Sequence, residues 1–193
     1  MRSRTYARGR ACSVGRQAAA SILLTLFQKG LTLDWITSDI AIGNCDDAIR
    51  LEVLRSAGIE SILSLTGWPN SAATASQHGI TWRCVELVDG YGNAISRLQE
   101  AVWQLDELLE KGSVLVHCME GVSRAPLVVA SYLADKASRP FDDCLQEVVL
   151  ARKWVVLNPG LIDLRRDYES AIEPHQRIGR FATRNGGERA SAD

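Results

Sequence analysis

No stretch of this chain approaches 18 consecutive apolar residues, so no membrane-crossing helix is expected. Cysteine is sparse. Five of them, an odd number at irregular spacing, do not make a disulfide framework, and a reducing compartment is expected. No internal repeat is visible. Acidic residues are missing altogether before Asp34, although Arg2, Arg4, Arg8, Arg10, Arg16 and Lys29 precede it. Removing those six from the 22 basic residues leaves 16 against 23 acids, so the body carries a charge of about −7 by that count. An acidic body argues against a nucleic-acid partner and against an anionic membrane surface. The final residues, Ala190-Ser191-Ala192-Asp193, hold no prenylation cysteine, so lipid anchoring by that route is not expected.

What is present suits one ordinary globular domain. The 193 residues are 46% hydrophobic and 23% charged, enough for a single proper core. Residues 1–33 read as a basic leader, peripheral or disordered. Its stretch Ala18–Phe27 is apolar and small, and it fits a helix that packs on the domain, a transit peptide or a weak signal peptide. A cytoplasmic location is expected, with organelle targeting by the leader as the alternative. From Pro174 to Asp193 Gly, Arg, Asn and Ser dominate, and a disordered tail is expected.

Between them, over residues 34–173, strand and helix signals alternate. Ile36–Gly43 reads as a strand or short hairpin. Asp46 is positioned to cap a helix presenting Ile49, Val53 and Ala57, with Gly58 as its stop. Ile62–Leu65 and Thr81–Val88 read as strands, with a turn at Gly67-Trp68-Pro69-Asn70 between them. Asp89–Asn93 is a Gly-rich loop. Ile95, Leu98, Val102, Leu105 and Leu109 follow helical spacing up to Lys111-Gly112. Val114–Val116 is apolar throughout, as a central strand requires. Residues 125–134 are apolar nearly all round and should form a buried helix. Asp142 or Asp143 opens another helix with Leu145, Val148 and Val149 inward. Asn158-Pro159 caps and opens the last one, through Leu161, Leu164, Tyr168 and Ile172. The pattern is an α/β layer fold.

The chemistry concentrates in His117-Cys118-Met119-Glu120-Gly121-Val122-Ser123-Arg124, directly after the apolar strand. Five residues separate Cys118 from Arg124. A cysteine thiol is mostly protonated at neutral pH and becomes a good nucleophile where a helix N-terminus and a cation stabilise its anion. Here the helix starts just past Cys118 and Arg124 returns through the loop. His117 can add a hydrogen bond that fixes the loop. Gly121 lets successive N–H groups turn inward as an anion nest. Arg124 offers a planar fork matched to two phosphate oxygens. Such a loop suits attack by a thiolate on a bound tetrahedral dianion, with the donors holding charge on the equatorial oxygens.

His117-Cys118-x-x-Gly121-x-Ser123-Arg124 resembles the signature loop of the cysteine-dependent protein phosphatases, specifically the dual-specificity group. The resemblance covers roughly Trp35 to Glu169. It includes Ile40-Ala41-Ile42-Gly43, Leu54-x-x-x-Gly58-Ile59, and Asn158-Pro159-Gly160-Leu161 through Tyr168-Glu169. It implies a central mixed sheet flanked by helices, of the protein tyrosine phosphatase kind. It also implies two-step phosphomonoester hydrolysis through a cysteinyl-phosphate, with no metal and no cofactor. Cys118, Arg124 and an Asp would be catalytic, and residues 117–124 would bind the phosphoryl group. The family places that Asp in a loop about thirty residues before the Cys. Asp89 lies 29 positions upstream and is the candidate general acid and base, its alternative being a simple turn-forming Asp-Gly. The sequence departs from the family where most members have Ser or Thr after the Arg. Here that residue is Ala125, so a slow second step is expected.

Met119, Glu120 and Val122 put no cation in the loop beyond Arg124. A phosphoprotein substrate, on tyrosine and on serine/threonine, is therefore expected ahead of a multiply charged phosphoinositide, which Glu120 should repel. The alternatives are a phosphopeptide-binding or substrate-trapping protein with very slow turnover, and a rhodanese-like sulfur transferase. Cys84 is either a resolving thiol for Cys118 or a buried strand residue. Cys12, Cys45 and Cys144 take no part in this reading. Trp68 is a candidate to line a substrate cleft. Oligomeric state is left open.

Overall fold

The computed structural model describes residues 30–68 and 71–171. The expected leader, apart from residues 30–33, the expected tail, Ile172 and the turn residues Pro69 and Asn70 lie outside them. The described residues from Thr32 onward belong to one compact unit.

Five strands form one mixed sheet in the order β1 (Asp34–Trp35), β2 (Ile40–Gly43), β5 (Val114–His117), β3 (Ser61–Ser64), β4 (Thr81–Cys84). The expected hairpin is β1 against β2, antiparallel, with Trp35 opposite Ala41. All other neighbours are parallel. In β5 every residue is buried, as a strand covered on both faces requires. Its side chains alternate. Val114 and Val116 join Ile40, Ile42 and Leu63 in the main core cluster. Leu115, registered with Ala41 and Ile62, is equally buried on the opposite face.

Helices α4 (Ile95–Leu109), α5 (Arg124–Ala137) and α7 (Pro159–Ala171) pack together with that first face, and α6 (Phe141–Ala151) packs on α5. Ten of the fourteen residues of α5 are buried, which bears out the expected all-round apolar helix. Its end is a left-handed Ser138.

Five local expectations change. The helix expected from Asp46 is two short ones, α1 (Cys45–Ala48) and α2 (Leu51–Ser56). Asn44, not Asp46, is the N-cap of α1, in a capping box with Asp47. The break at Arg50 rephases the second helix, so Leu51 and Leu54 face inward and Ile49 is exposed. In α6 Cys144 and Val148 are buried while Val149 is not, because Val149 lies about 100° round the helix from Val148. β4 ends at Cys84, short of the expected Val88. Val85 and Leu87 still donate to the Ser64 and Leu65 carbonyls at 2.9 and 3.2 Å. Helix α3 (Ala72–Gln77) ends at His78.

Register sets the position of the site. Gly43 of β2 and Ser64 of β3 both lie opposite His117 of β5. Three parallel strands thus end level, and the loop after β5 emerges where chains on both sides turn away, the usual binding edge of such sheets.

Candidate active site

The loop from His117 to Ser123 has every carbonyl engaged by a group outside the loop or at its ends. Leu65 N–H donates to the His117 carbonyl at 2.9 Å, and Cys45 N–H to that of Met119 at 3.0 Å. Arg152 Nη2 donates to Glu120 at 3.2 Å and Arg152 Nε to Gly121 at 2.7 Å. Val156 N–H donates to Val122 at 3.0 Å and Leu127 N–H to Ser123 at 3.1 Å. The His117 ring reaches the Cys118 carbonyl through Nδ1 at 3.1 Å. Since a carbonyl only accepts, Nδ1 carries the proton.

In a trans peptide the C=O of one residue and the N–H of the next point oppositely. Carbonyls drawn outward therefore turn the following amides inward. Among the described residues, Gly121 is the one amide of 119–123 that donates to a protein atom, and that atom is Cys118 Sγ, at 3.3 Å. The others face away from the donors that hold their carbonyls. Gly121 is required here on two counts. Its φ is +72°, and a Cβ would lie 2.4 Å from the Gly43 carbonyl oxygen.

Cys118 is buried at the floor of this loop. Ser123 is the N-cap of α5, and its Oγ accepts from Asn158 N–H at 3.1 Å rather than capping the helix. Arg124 opens α5. Its Nη1 donates to the Leu87 carbonyl at 3.2 Å, and its Nε lies 3.6 Å from Asp89 Oδ2. The expected acid and the expected phosphate-binding arginine are thus brought together. Met119 and Glu120 are exposed and Val122 is half-buried.

Asp89 sits on a half-exposed loop fastened by two asparagines. Asn93 accepts from Val88 N–H at 2.8 Å and donates to the carbonyls of Val88 and Gly90 at 2.8 and 3.0 Å. Asn158 donates to the Asp89 carbonyl at 3.2 Å while its Oδ1 accepts from Gly160 N–H, as a helix cap. Gly160 fits closely beneath, since a Cβ there would lie 2.4 Å from Tyr91 N.

His117 faces the other side of the sheet, tilted against Trp82 at 5.6 Å between centroids. Burial pushes its imidazole down to about 4, against the smaller opposing effect of the Cys118 carbonyl. It is therefore neutral at pH 7 and serves as a fixed donor to the loop backbone.

A model of the dual specificity phosphatase catalytic domain matches residues 40–171. The chain belongs to the dual-specificity phosphatase family. Among its relatives, dual specificity protein phosphatase 19 of Mus musculus is 29% identical over 173 residues, covering 88% of this chain and 71% of that protein. Dual specificity protein phosphatase 1B of Arabidopsis thaliana is 26% identical over 150 residues, covering 77% and 88%. The crystal structure of a mouse putative dual specificity phosphatase, complexed with zinc tungstate, superposes with a TM-score of 0.64. Its identity is 25%, and the match covers 72% of this chain and 87% of that one. The chain is a cysteine-dependent protein phosphatase, and the mixed sheet flanked by helices is the family's fold. Within the described residues no helix is long and apolar enough to cross a membrane.

Other parts of this phosphatase site escape a sequence reading. Arg152, Asn158 and Asn93 hold its two loops. Asn158 carries a cap signal, but Arg152 carries none, because the carbonyl partners it needs lie 31 and 32 residues away on the loop. Cys45 also matters, through its backbone. Burial, then Asp46 and more weakly Cys118, push its thiol up. Cys84 is exposed on the edge strand β4, not buried, and its thiol donates to the Thr66 carbonyl at 3.4 Å. Burial of its sulfur, followed by Glu86, pushes that thiol up as well. Trp68 and Trp154 are exposed while Trp82 is in the core.

Proposed function

We propose that Cys118 is the nucleophile of this protein phosphatase, that the loop amides and Arg124 hold the phosphoryl oxygens, and that Asp89 is the general acid and then the general base. One observation carries the reading: all carbonyls of 117–123 are tied outward, so amides and the Cys118 sulfur face one space. Charge on the equatorial oxygens meets donors that need no reorganisation. Cys118 Sγ attacks phosphorus, the ester oxygen leaves with the Asp89 proton, and a water activated by Asp89 then cleaves the phosphoenzyme.

Phosphotyrosine and phosphoserine/threonine in proteins are the proposed substrates. Exposed Met119, Val88 and Tyr91 lie on the two loops that carry Cys118 and Asp89, and the exposed Glu120 disfavours polyanionic head groups. The proposed catalytic domain is 34–173, set between the basic leader and the tail, in the cytoplasm.

The test is hydrolysis of a small aryl phosphate by wild type, Cys118→Ser and Asp89→Ala. Loss of all turnover in the first is expected. A drop of about 10²–10⁴-fold in kcat is expected in the second, the usual range for a general acid. Turnover that survives Cys118→Ser overturns the assignment.

A further inference from the structure

Arg152 is a buried cation that the chemical steps above do not use. Its side chain is 8% exposed, and a guanidinium so placed persists only with its donors satisfied. All three nitrogens are engaged. Nε and Nη2 hold the Gly121 and Glu120 carbonyls at 2.7 and 3.2 Å. Nη1 meets Asp34 Oδ2 at 2.7 Å and the carbonyls of Thr32 and Ile42 at 3.2 and 3.3 Å. Thr32 is itself gripped by Asp47, whose carboxylate accepts from Thr32 N–H and Oγ1 at 2.8 and 2.9 Å.

The two loop bonds fall on special peptides. Glu120 C=O and Gly121 N–H belong to one peptide plane. Arg152 holds its oxygen end, and its hydrogen end donates to Cys118 Sγ. Gly121 C=O and Val122 N–H form the next plane, again held by Arg152 at the oxygen. A cation on the carbonyl orients each unit and strengthens the donor at its far end.

We infer that Arg152 is a positioning residue of the phosphate loop, acting on Cys118 through the Glu120–Gly121 peptide, and that residues 32–34 hold Arg152 in place. The strap lies ahead of the family match, which begins at residue 40. This inference rests on Cys118 being the nucleophile. Lysine, with one compact ammonium, cannot span two carbonyls and a carboxylate.

The experiment uses the full chain as wild type, Arg152→Met, Arg152→Lys, Asp34→Asn and Cys118→Ser. It reads kcat and KM on an aryl phosphate, inhibition by inorganic phosphate, the melting temperature, and the pH profile of Cys118 alkylation by iodoacetamide. Arg152→Met is expected to lower kcat/KM about 100-fold, the usual effect of misplacing a site by about 1 Å. It should also weaken phosphate inhibition and move the alkylation profile to higher pH. Arg152→Lys should recover part of each effect, and Asp34→Asn should shift each a few-fold in the same direction. A lower melting temperature with wild-type phosphate inhibition and alkylation would make Arg152 a structural staple and overturn the inference. If Arg152→Met does not fold, Asp34→Asn decides: an unchanged profile there also overturns it. Cys118→Ser keeps the two readings apart, since activity in that variant refutes the nucleophile whatever Arg152 does.

Discussion

The proposed phosphate loop and the loop carrying the proposed acid are built differently. Residues 117–123 have each carbonyl fixed, from three other segments as well as from the loop's own ends. Asp89–Asn93 leans on two asparagine side chains, with Asp89 and Tyr91 facing solvent. The difference follows the chemistry. An oxyanion site works by being rigid before charge develops. A proton donor must meet leaving groups of differing length and then a water, so it gains from a loop that opens cheaply.

The comparison breaks most visibly at Gly121. Gly121→Ala places a Cβ against the Gly43 carbonyl and forces a left-handed alanine. We expect kcat/KM to fall by about 10³-fold or more, as when an oxyanion donor is lost. Phosphate inhibition should fall with it. A near-wild-type Gly121→Ala would mean that the loop is not rigid.

Ala125 comes next. It is fully buried in the first turn of α5 and offers no hydroxyl to the departing thiolate. A charge-assisted bond of about 1.5–3 kcal/mol is missing, which is up to about 100-fold in the step it serves. Rapid-quench kinetics should show a burst and then slow turnover, and Ala125→Ser should raise the second rate. No burst, with Ala125→Ser unchanged, would refute this.

Asn93→Ala sharpens the contrast from the acid side. Removing three bonds within the loop should cost about 1–2 kcal/mol of ordering, lowering kcat about tenfold. Inorganic-phosphate inhibition should stay as in wild type, because the other loop is untouched. Equal losses in both would show that the two loops move as one.

The smallest effect concerns stability. Unfolded His117 takes up its proton near 6.5 and the folded imidazole only near 4. The unfolded state therefore binds more protons between those values. The stability due to the neutral ring is complete above pH 6.5 and declines as pH falls toward 4, by at most about 1.4 kcal/mol per pH unit. Melting temperatures over this range should drop less steeply in His117→Gln. Parallel curves would remove His117 from the account.

The catalytic loop was legible because its parts are contiguous. Cys118, Gly121, Ser123 and Arg124 fall within seven residues after a strand, and helix and strand periods gave β5 and α4 nearly to the residue and α5 to within three. Asp89 needed a family resemblance, since an Asp-Gly at a strand end has a plain turn reading. The helix after Gly43 was misphased because Asp46 and Asn44 are both good caps, and the reciprocal bonds of Asn44 with Asp47 favour Asn44. Cys84 was misread because β4 is an edge strand, and edge position is a property of strand order.

The sequence by itself determined the candidate reacting groups and the local conformations that short-range sterics and hydrophobic period dictate. A glycine at 121, an apolar β5 and an all-round apolar α5 suffice for strand, loop and helix. Tertiary structure alone decided which way the loop's amides point. That depends on where its carbonyls find donors, and Leu65, Cys45, Arg152 and Val156 reach them only once strands distant in the chain lie side by side.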